Sequence, residues 1–386
     1  MERTRSGVAR VLWWGLGGVA LAASVAMLSG DHARSWFFFE DAVHHLVGPD
    51  GGIDLYRDHP EYQFGPIAVL VAAPLVALPD GIGEAVVVVV GSLCGVLALW
   101  CGATAVERRH PEIDRGGWDR WLMVAGPMVM ESWLRLAAYT AHLDDVVLLT
   151  ALAASGLAIE RRQTTSAAVF LALAAAVKPW GVVFVPLALL GGGLRPRRRA
   201  LLVGLAAAAT WMPFVIGSPG TISALRAFAL PVDPNSGLRA LGQLDAAMPG
   251  WDRPLQLGLA VAVTTFAVVR RGSWSTALLV GVAVRLALDP ATNHYYTTGL
   301  VLAGVLWEAD RWPGRLPWRT AVTAVLLEVA ADDIGLGGLM PSLRLLVLAA
   351  LVAVALIAPR QISRPALGGT AGPPGWSAGR ETVERR

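Results

Sequence analysis

Long apolar runs, separated by short polar segments, fill the chain from residue 8 to residue 358. The apolar residues are continuous rather than alternating, which is typical of membrane helices and not of strands. The first run, residues 8–28, is long enough to cross a bilayer, and the basic residues before it predict a cytoplasmic N-terminus. A cleaved signal peptide is the alternative, but the run is too long for one, so we expect an uncleaved first helix.

The later apolar runs predict the topology. They are residues 65–78, 82–106, 121–136, 146–159, 167–177, 182–190, 201–216, 254–269, 275–288, 295–307, 321–331 and 343–358. Arginines cluster after several of these runs, and placing the clusters in the cytoplasm predicts about 12 crossings with both termini inside. Residues 65–78 break this alternation because they are short and bounded by prolines, so we expect a short re-entrant or half-depth helix there.

The composition agrees with this pattern. Hydrophobic residues make up 55% of the chain and charged residues only 16%, whereas soluble globular proteins average about 25% charged residues. The sequence therefore predicts an all-α polytopic membrane protein. One transmembrane domain is expected over residues 1–358, and the tail over residues 359–386, rich in proline, glycine and arginine, is expected to be disordered and cytoplasmic.

Charge and cysteine content exclude several other classes. The net charge of +3 is explained by the cytoplasmic arginines, and no basic stretch carries the interleaved aromatic residues of a nucleic-acid module. Cys94 and Cys101 lie in one apolar run, so neither a disulfide framework nor a zinc site is predicted. Membrane lipids are the partners that this composition implies, and nucleic acid is not one of them.

Acids, histidines, tyrosines and a lysine gather on the side of the membrane opposite the arginine clusters. Two polar loops are predicted there, at residues 30–64 and 217–253, and the first contains acids, histidines and a run of aromatic residues. Ionisable groups at a membrane edge are costly, so their clustering on one face favours a functional site. Each group taken alone could instead be a helix cap, and the first loop could be an interfacial segment with aromatic side chains at headgroup level.

Lys178 is the clearest single candidate. It separates two short apolar pieces in the segment AAAVKPWGVVFVPL, and Pro179 is expected to end the first of the two helices. A lysine in this position could hold a phosphate as a point charge. The alternative is a lysine that extends its ammonium group to the membrane surface.

These motifs resemble the GT-C superfamily of polyprenyl-phosphate-sugar-dependent glycosyltransferases. Within it, the chain looks like the bacterial family that includes the α-1,2-mannosyltransferases of phosphatidylinositol mannosides. The matching segments are Asp31 after the first helix, AVHHLVG with Asp54-Leu55-Tyr56, Tyr62-Gln63-Phe64-Gly65-Pro66, AHLDDVVLLTALAASGLAIERR, AAVFLALAAAVKPWGVVFVPLALL and DPATNHYYTTGLVLAGVLW. The resemblance implies a GT-C-like helix bundle that transfers a hexose, with mannose the expected sugar, at the outer face of the plasma membrane. It implies a polyprenyl-phosphate sugar donor and a lipid or glycan acceptor in the cell envelope.

The resemblance also implies roles for residues. Transfer with inversion needs a carboxylate to deprotonate the acceptor hydroxyl and positive groups for the departing phosphate. Asp31 is the predicted base by its match to the family's loop acid, and Asp41 is the second candidate. Lys178, His294 and Arg285 are predicted to bind the donor phosphate. The residues predicted to contact the sugar or acceptor are Tyr62, Gln63, His142, Asp144, Asp145, Trp180 and Tyr295. Asp144 and Asp145 could hold a divalent cation instead, although a metal needs several oxygen ligands.

A secondary transporter or flippase of lipid-linked sugars is the main alternative function. It predicts inverted repeats and polar groups near the middle of the membrane. The sequence shows no internal repeat, and its polar groups lie at helix ends. A non-catalytic membrane scaffold is a third class, but it does not predict clustering of ionisable groups on one face.

Overall fold

A computed structural model describes residues 7–27, 32–48, 51–79, 81–190, 195–332 and 338–358. Within these ranges the regular structure is helical, and the β-structure is limited to an isolated bridge between Pro231 and Ala247. The all-α prediction is therefore confirmed. The predicted disordered tail, from residue 359 onward, lies outside the described residues.

Sixteen α-helices are described, two of them single turns. In chain order they are α1 (Gly7–Met27), α2 (Trp36–Val47), α3 (Leu55–Asp58), α4 (Pro66–Val76), α5 (Ile82–Arg109), α6 (Arg115–Leu134), α7 (Leu143–Glu160), α8 (Thr164–Val177), α9 (Pro196–Gly217), α10 (Thr221–Ala227), α11 (Gly237–Ala240), α12 (Asp252–Arg271), α13 (Trp274–Ala287), α14 (Thr297–Arg311), α15 (Trp318–Asp332) and α16 (Met340–Ile357). A π-helical turn, Arg135–Tyr139, follows α6, and 3-10 helices occupy Pro179–Leu189 and His294–Tyr296.

Four of the described helices, α1, α5, α9 and α16, are long and apolar enough to cross a membrane by length and composition. Shorter apolar helices accompany them, namely α4, α8, Pro179–Leu189 and α13. The predicted short helix within residues 65–78 corresponds to α4, which has 11 residues. The count of about 12 crossings stays a prediction, because length and composition single out only these four among the described helices.

Local sequence explains several helix ends. α8 stops at Val177 because Lys178 precedes a proline and adopts an extended conformation, with φ −148° and ψ 131°. Pro179 then begins the 3-10 helix, so the predicted break between the two apolar pieces is confirmed. The side chain of Asp114 caps α6 by accepting a hydrogen bond from the Gly117 amide at 3.0 Å.

Small residues let the central helices pack closely. A Cβ atom on Gly95 of α5 would lie 2.5 Å from the Trp133 ring of α6, and the Trp133 indole donates to the Gly91 carbonyl at 2.8 Å. Close approach through glycine is typical of helices packed in membranes. The central helices α5, α7 and α8 pack in this order, and the 3-10 helix Pro179–Leu189 packs against α8, α9, α12 and α13.

The two predicted outer loops contain short helices. Residues 30–64 include α2 and α3, and residues 217–253 include α10 and α11. α2 packs against α4, and α3 packs against α10, so the two loops meet each other. This contact places both segments at the end of the bundle where α7 and α12 begin.

Candidate active site

A cavity of about 780 Å³ lies between the first turns of α7 and α12, the end of α13 and residues 225–234. This volume is in the range of small-molecule sites in proteins. Its wall combines aromatic rings with charged and amide side chains. The structure brings together on this wall the predicted residues Tyr62, Gln63, His142, Asp144, Lys178, Trp180, Arg285 and Tyr295.

Lys178 is buried and paired with two carboxylates. Its Nζ lies 2.7 Å from Asp144 Oδ2 and 2.5 Å from Asp145 Oδ2. The three residues are 8%, 2% and 5% exposed, so the ammonium group is enclosed within the protein and is not extended to solvent as that of a snorkelling lysine would be. The Trp180 indole donates to the second oxygen of Asp145 at 3.2 Å.

Two local features create this cluster. Asp144 and Asp145 occupy the first turn of α7, where carboxylates interact favourably with the helix dipole. Lys178 sits at the break between α8 and the 3-10 helix, and α7 packs along α8. The packing of these two helices therefore brings the lysine to the start of α7.

His142 links this cluster to the segment before α2. Its ring stacks on the Tyr295 ring at a centroid distance of 4.1 Å. Its Nε2 lies 3.1 Å from Ser35 Oγ, and its Nδ1 lies 3.7 Å from Asp144 Oδ1. The imidazole is therefore held on three sides, and it forms part of the cavity wall.

Arg285 and Asp289 form a second charged pair on the wall. Arg285 Nη2 lies 3.2 Å from Asp289 Oδ2, one helical turn further along the chain. The guanidinium group stacks over the Trp180 ring at 4.5 Å and the Tyr296 ring at 5.0 Å. Stacking of this kind fixes the plane of an arginine and leaves its edge free for polar contacts.

Arg253 differs from the other two cations of the cavity. Its Nη2 donates to the side-chain oxygen of Gln63 at 2.8 Å, and its Nε has no hydrogen-bond partner in the described structure. No ion pair joins Arg253 to a carboxylate in the described ranges, whereas Lys178 has two such pairs and Arg285 has one. Arg253 is therefore the cavity cation whose guanidinium group makes no direct ion pair in the described structure, although Asp252 and Asp289 interact with it electrostatically.

The model of glycosyltransferase family 87 matches residues 62–288, which is more than half of the chain. The chain belongs to glycosyltransferase family 87. This family is a GT-C-type family of membrane glycosyltransferases, so the predicted superfamily is confirmed at this level. A comparison with curated proteins finds no match. The closer resemblance to mannosyltransferases stays a prediction.

The matched region of this glycosyltransferase covers most of the cavity wall. It includes the ionisable residues His142, Asp144, Lys178, Arg253 and Arg285. Ser35, Asn293 and Tyr295 also line the cavity but lie outside the matched region. The site is thus assembled mainly from the part of the chain that defines the family.

The two predicted bases are placed differently. Asp31 lies outside the described residues. Asp41 lies on α2 with its side chain 55% exposed, 3.4 Å from His45 Nε2, and it is not part of the cavity wall. The Tyr62 hydroxyl donates a hydrogen bond to Asp41. Burial and this hydrogen bond raise the pKa of Tyr62, so the phenol stays protonated and remains a donor at neutral pH.

His294 is not placed with the other predicted phosphate ligands. It is exposed in the 3-10 turn His294–Tyr296, and its backbone carbonyl accepts a hydrogen bond from Thr297 Oγ1 at 2.6 Å. Its neighbours Asn293 and Tyr295 are part of the cavity wall, but His294 is not.

Sequence reasoning missed Ser35 and Arg253. A signal was available for Arg253, because it is a cation where a polar loop meets an apolar run, as Lys178 is. Ser35 had no such signal. It reaches the site through pairing of the backbone of residues 33–35 with that of residues 138–140, which only the tertiary structure shows.

The carboxylates of the site do not fit a divalent cation well. Ligand atoms of His142, Asp144 and Asp145 lie within 4.8 Å of one another. The Lys178 ammonium, however, already contacts one oxygen of each carboxylate. Magnesium and calcium need a larger set of oxygen ligands, and a lysine within that set supplies a competing positive charge. The arrangement fits an internal ion pair better than a metal centre.

Proposed function

We propose that this chain transfers a mannosyl residue from a polyprenyl-phosphate donor to a lipid or glycan acceptor at the non-cytoplasmic face of the plasma membrane. Membership of glycosyltransferase family 87 supports sugar transfer within a membrane. The arginine clusters on the opposite side of the predicted topology support the outward orientation. The resemblance to the mannosyltransferases of phosphatidylinositol mannosides supports the choice of sugar and acceptor.

The charges of the cavity are the observation that carries the choice of donor. Lys178 and Arg285 are paired with carboxylates, and Arg253 is the cavity cation without such a pair in the described structure. A polyprenyl-phosphate sugar is a phosphodiester with one negative charge. A guanidinium group that makes no direct ion pair can offer its free N–H groups to that charge and can bind two phosphate oxygens at once.

The remaining wall suits a sugar ring. Carboxylates such as Asp289 accept hydrogen bonds from hydroxyl groups, and Trp180 and Tyr295 offer aromatic faces. Within this proposal Gln63 and Tyr62 contact the sugar or acceptor. Arg285 supports the phosphate beside Arg253.

A transfer assay on the purified protein in proteoliposomes tests this proposal. We expect labelled mannose to move from polyprenyl-phosphate mannose to the lipid fraction, and a soluble nucleotide-linked mannose to give no product. Transfer from the nucleotide sugar alone would overturn the choice of donor. Movement of intact polyprenyl-phosphate mannose across the bilayer without any transfer would favour the flippase alternative.

A further inference from the structure

Ser35, His142 and Asp144 form a polar chain on the cavity wall that neither sugar binding nor phosphate binding requires. Ser35 Oγ lies 3.1 Å from His142 Nε2, and His142 Nδ1 lies 3.7 Å from Asp144 Oδ1. All three residues line the cavity. The order of hydroxyl, imidazole and carboxylate is the one in which an imidazole removes a proton from a hydroxyl group.

The geometry points to His142 as the group that takes the proton of the acceptor hydroxyl, with Asp144 as its positioning residue. This inference rests on the proposed function, because it names the base for that transfer. With the imidazole protonated on Nδ1, Ser35 Oγ marks the place from which a hydroxyl group donates to Nε2. An acceptor hydroxyl would take over this contact or donate through Ser35.

Asp144 has the surroundings that this role requires. It is 2% exposed, and Lys178 holds its Oδ2 at 2.7 Å. Its Oδ1, which faces His142 Nδ1, has no hydrogen-bond partner in the described structure. A carboxylate in this place favours the tautomer with the proton on Nδ1, which leaves the lone pair of Nε2 to accept a proton. A contact of this length is longer than a hydrogen bond, but such contacts often tighten once substrate is bound.

The backbone at this site is strained in two places. Ala33 and Ala141 have φ angles of 50° and 52°, a region that residues other than glycine rarely adopt. The first lies two residues before Ser35 and the second directly precedes His142. The π-helical turn Arg135–Tyr139 immediately precedes this segment, and backbone hydrogen bonds join residues 33–35 to residues 138–140. Strain and π-helical turns persist where the surrounding structure enforces them, and both concentrate at functional sites.

The proposed transfer forms one bond to the anomeric carbon and breaks one. The acceptor oxygen forms a bond to the anomeric carbon of the donor sugar. The bond from that carbon to the phosphate oxygen breaks, and its electron pair leaves on the polyprenyl phosphate. The acceptor proton moves to His142 Nε2, and the resulting imidazolium faces the Asp144 carboxylate. Lys178 keeps that carboxylate in place through its other oxygen.

Asp41, the one described acid that the sequence predicted as the base, is less well placed than His142. Asp41 is exposed on α2, accepts a hydrogen bond from Tyr62 and is not part of the cavity wall. Asp31 remains a candidate from the resemblance alone. The test therefore compares His142 with both acids.

The experiment measures single-turnover transfer by His142→Gln, His142→Ala, Asp31→Asn and Asp41→Asn in proteoliposomes. His44→Gln is the matched control, because His44 is an exposed histidine on α2 that does not line the cavity. Each protein is offered the donor that the parent uses, either polyprenyl-phosphate mannose or nucleotide-linked mannose. Binding of a non-transferable phosphonate analogue of the donor is measured in parallel.

We expect His142→Gln to lose about 100- to 10,000-fold in transfer rate, the usual loss for a removed base, with analogue binding unchanged. Added imidazole should restore transfer to His142→Ala and not to Asp31→Asn or Asp41→Asn. Asp144→Asn should lower kcat at an unchanged donor KM, as expected of a positioning residue. His44→Gln should keep the parent rate.

Three outcomes would overturn the inference. His142→Gln could transfer at the parent rate. Alternatively, His142→Gln could lose analogue binding together with transfer while added imidazole fails to restore transfer to His142→Ala. Asp31→Asn could instead be the only inactive variant that still binds the analogue. A parent that uses only the nucleotide sugar would overturn the proposed donor but leave the test of His142 intact. A parent that uses neither donor would overturn both proposals.

Discussion

Lys178 shows how partners change the meaning of a residue. The sequence alone predicts that this lysine binds the donor phosphate. In the structure it is instead buried between Asp144 and Asp145. Removing one member of a buried ionic cluster leaves its partners charged and unpaired. We therefore expect Lys178→Met to lower the free energy of unfolding by about 3–5 kcal/mol.

Chemical or thermal unfolding in detergent measures this effect. The matched control is the triple variant Asp144→Asn, Asp145→Asn, Lys178→Met, which removes both negative charges as well. It should recover most of the lost stability, because no carboxylate is then left unpaired. Parent-like unfolding of Lys178→Met alone would show that the cluster contributes little.

Arg253 is the second prediction at the residue scale. Because it is the cavity cation without a direct ion pair in the described structure, Arg253→Gln should raise the donor KM by about 10- to 100-fold, which corresponds to one charged hydrogen bond. Arg253→Lys should recover part of this loss. Arg226→Gln is the control, since it removes the same charge from an exposed position of the same predicted outer loop. An equal effect of both glutamine variants would reduce the role of Arg253 to general electrostatic attraction.

At the scale of elements, a glycine holds the segment of Tyr62 and Gln63 against α8. The Gly65 amide donates to the Val177 carbonyl at 2.7 Å, and a Cβ atom on Gly65 would lie 2.0 Å from the Ala176 carbonyl oxygen. Gly65→Ala must therefore separate the two segments. We expect it to cost about 1–3 kcal/mol in stability and to weaken donor use.

The control for this prediction lies on α9. A Cβ atom on Gly204 would meet nothing within 4 Å, so Gly204→Ala should not lower stability and should raise it by about 0.5–1 kcal/mol, because alanine is the better helix former. Unfolding and donor KM are measured on both variants. A Gly65→Ala protein with the parent's stability and KM would mean that α8 and the loop can move apart without harm.

A further contact between elements lies at the end of the bundle away from the cavity. His110 follows α5, its Nε2 lies 3.0 Å from Asp310 Oδ1 of α14, and its Nδ1 lies 3.1 Å from Glu112 Oε1. Ser273 and Ser275, at the start of α13, also donate to Asp310. Burial lowers the pKa of His110, but the hydrogen bonds to Asp310 and Glu112 outweigh it, and the net shift is upward.

The sign of the pH dependence follows from this shift. A histidine with a raised pKa in the folded state stabilises the protein fully below its unfolded pKa of about 6.5, and this stabilisation is lost as the pH rises through the folded value. We expect the difference in Tm between the parent and His110→Gln to be largest at acid pH and to shrink at alkaline pH. A difference that does not change with pH would mean that the charge of His110 plays no part.

At the scale of the whole molecule, the topology is the main prediction. A single cysteine replacing Leu244 should react with an impermeant thiol reagent from outside intact cells, and one replacing Arg197 should not, in a chain with Cys94 and Cys101 replaced. Leu244 is 83% exposed, and Arg197 is exposed in the strongest basic cluster. The opposite pattern of labelling would reverse the orientation and place the cavity in the cytoplasm.

The sequence by itself determined the class of the protein and several of its elements. Apolar runs identified the helices, Pro179 marked the break after α8, and the arrangement of arginines and acids singled out one end of the bundle. These features could be predicted because they depend on local composition and on backbone chemistry within a few residues. Most predicted contact residues therefore line the cavity, including His142, Asp144 and Lys178.

Only the tertiary structure decided which of these groups meet. Lys178 pairs with carboxylates 33 or more residues earlier, and Ser35 reaches His142 across 107 residues. Asp41 and His294, which the sequence also predicted for the site, fall outside the cavity wall, while Arg253 is part of it. These pairings depend on how distant helices pack and on strained backbone at Ala33 and Ala141, and neither leaves a periodic or local signal in the sequence.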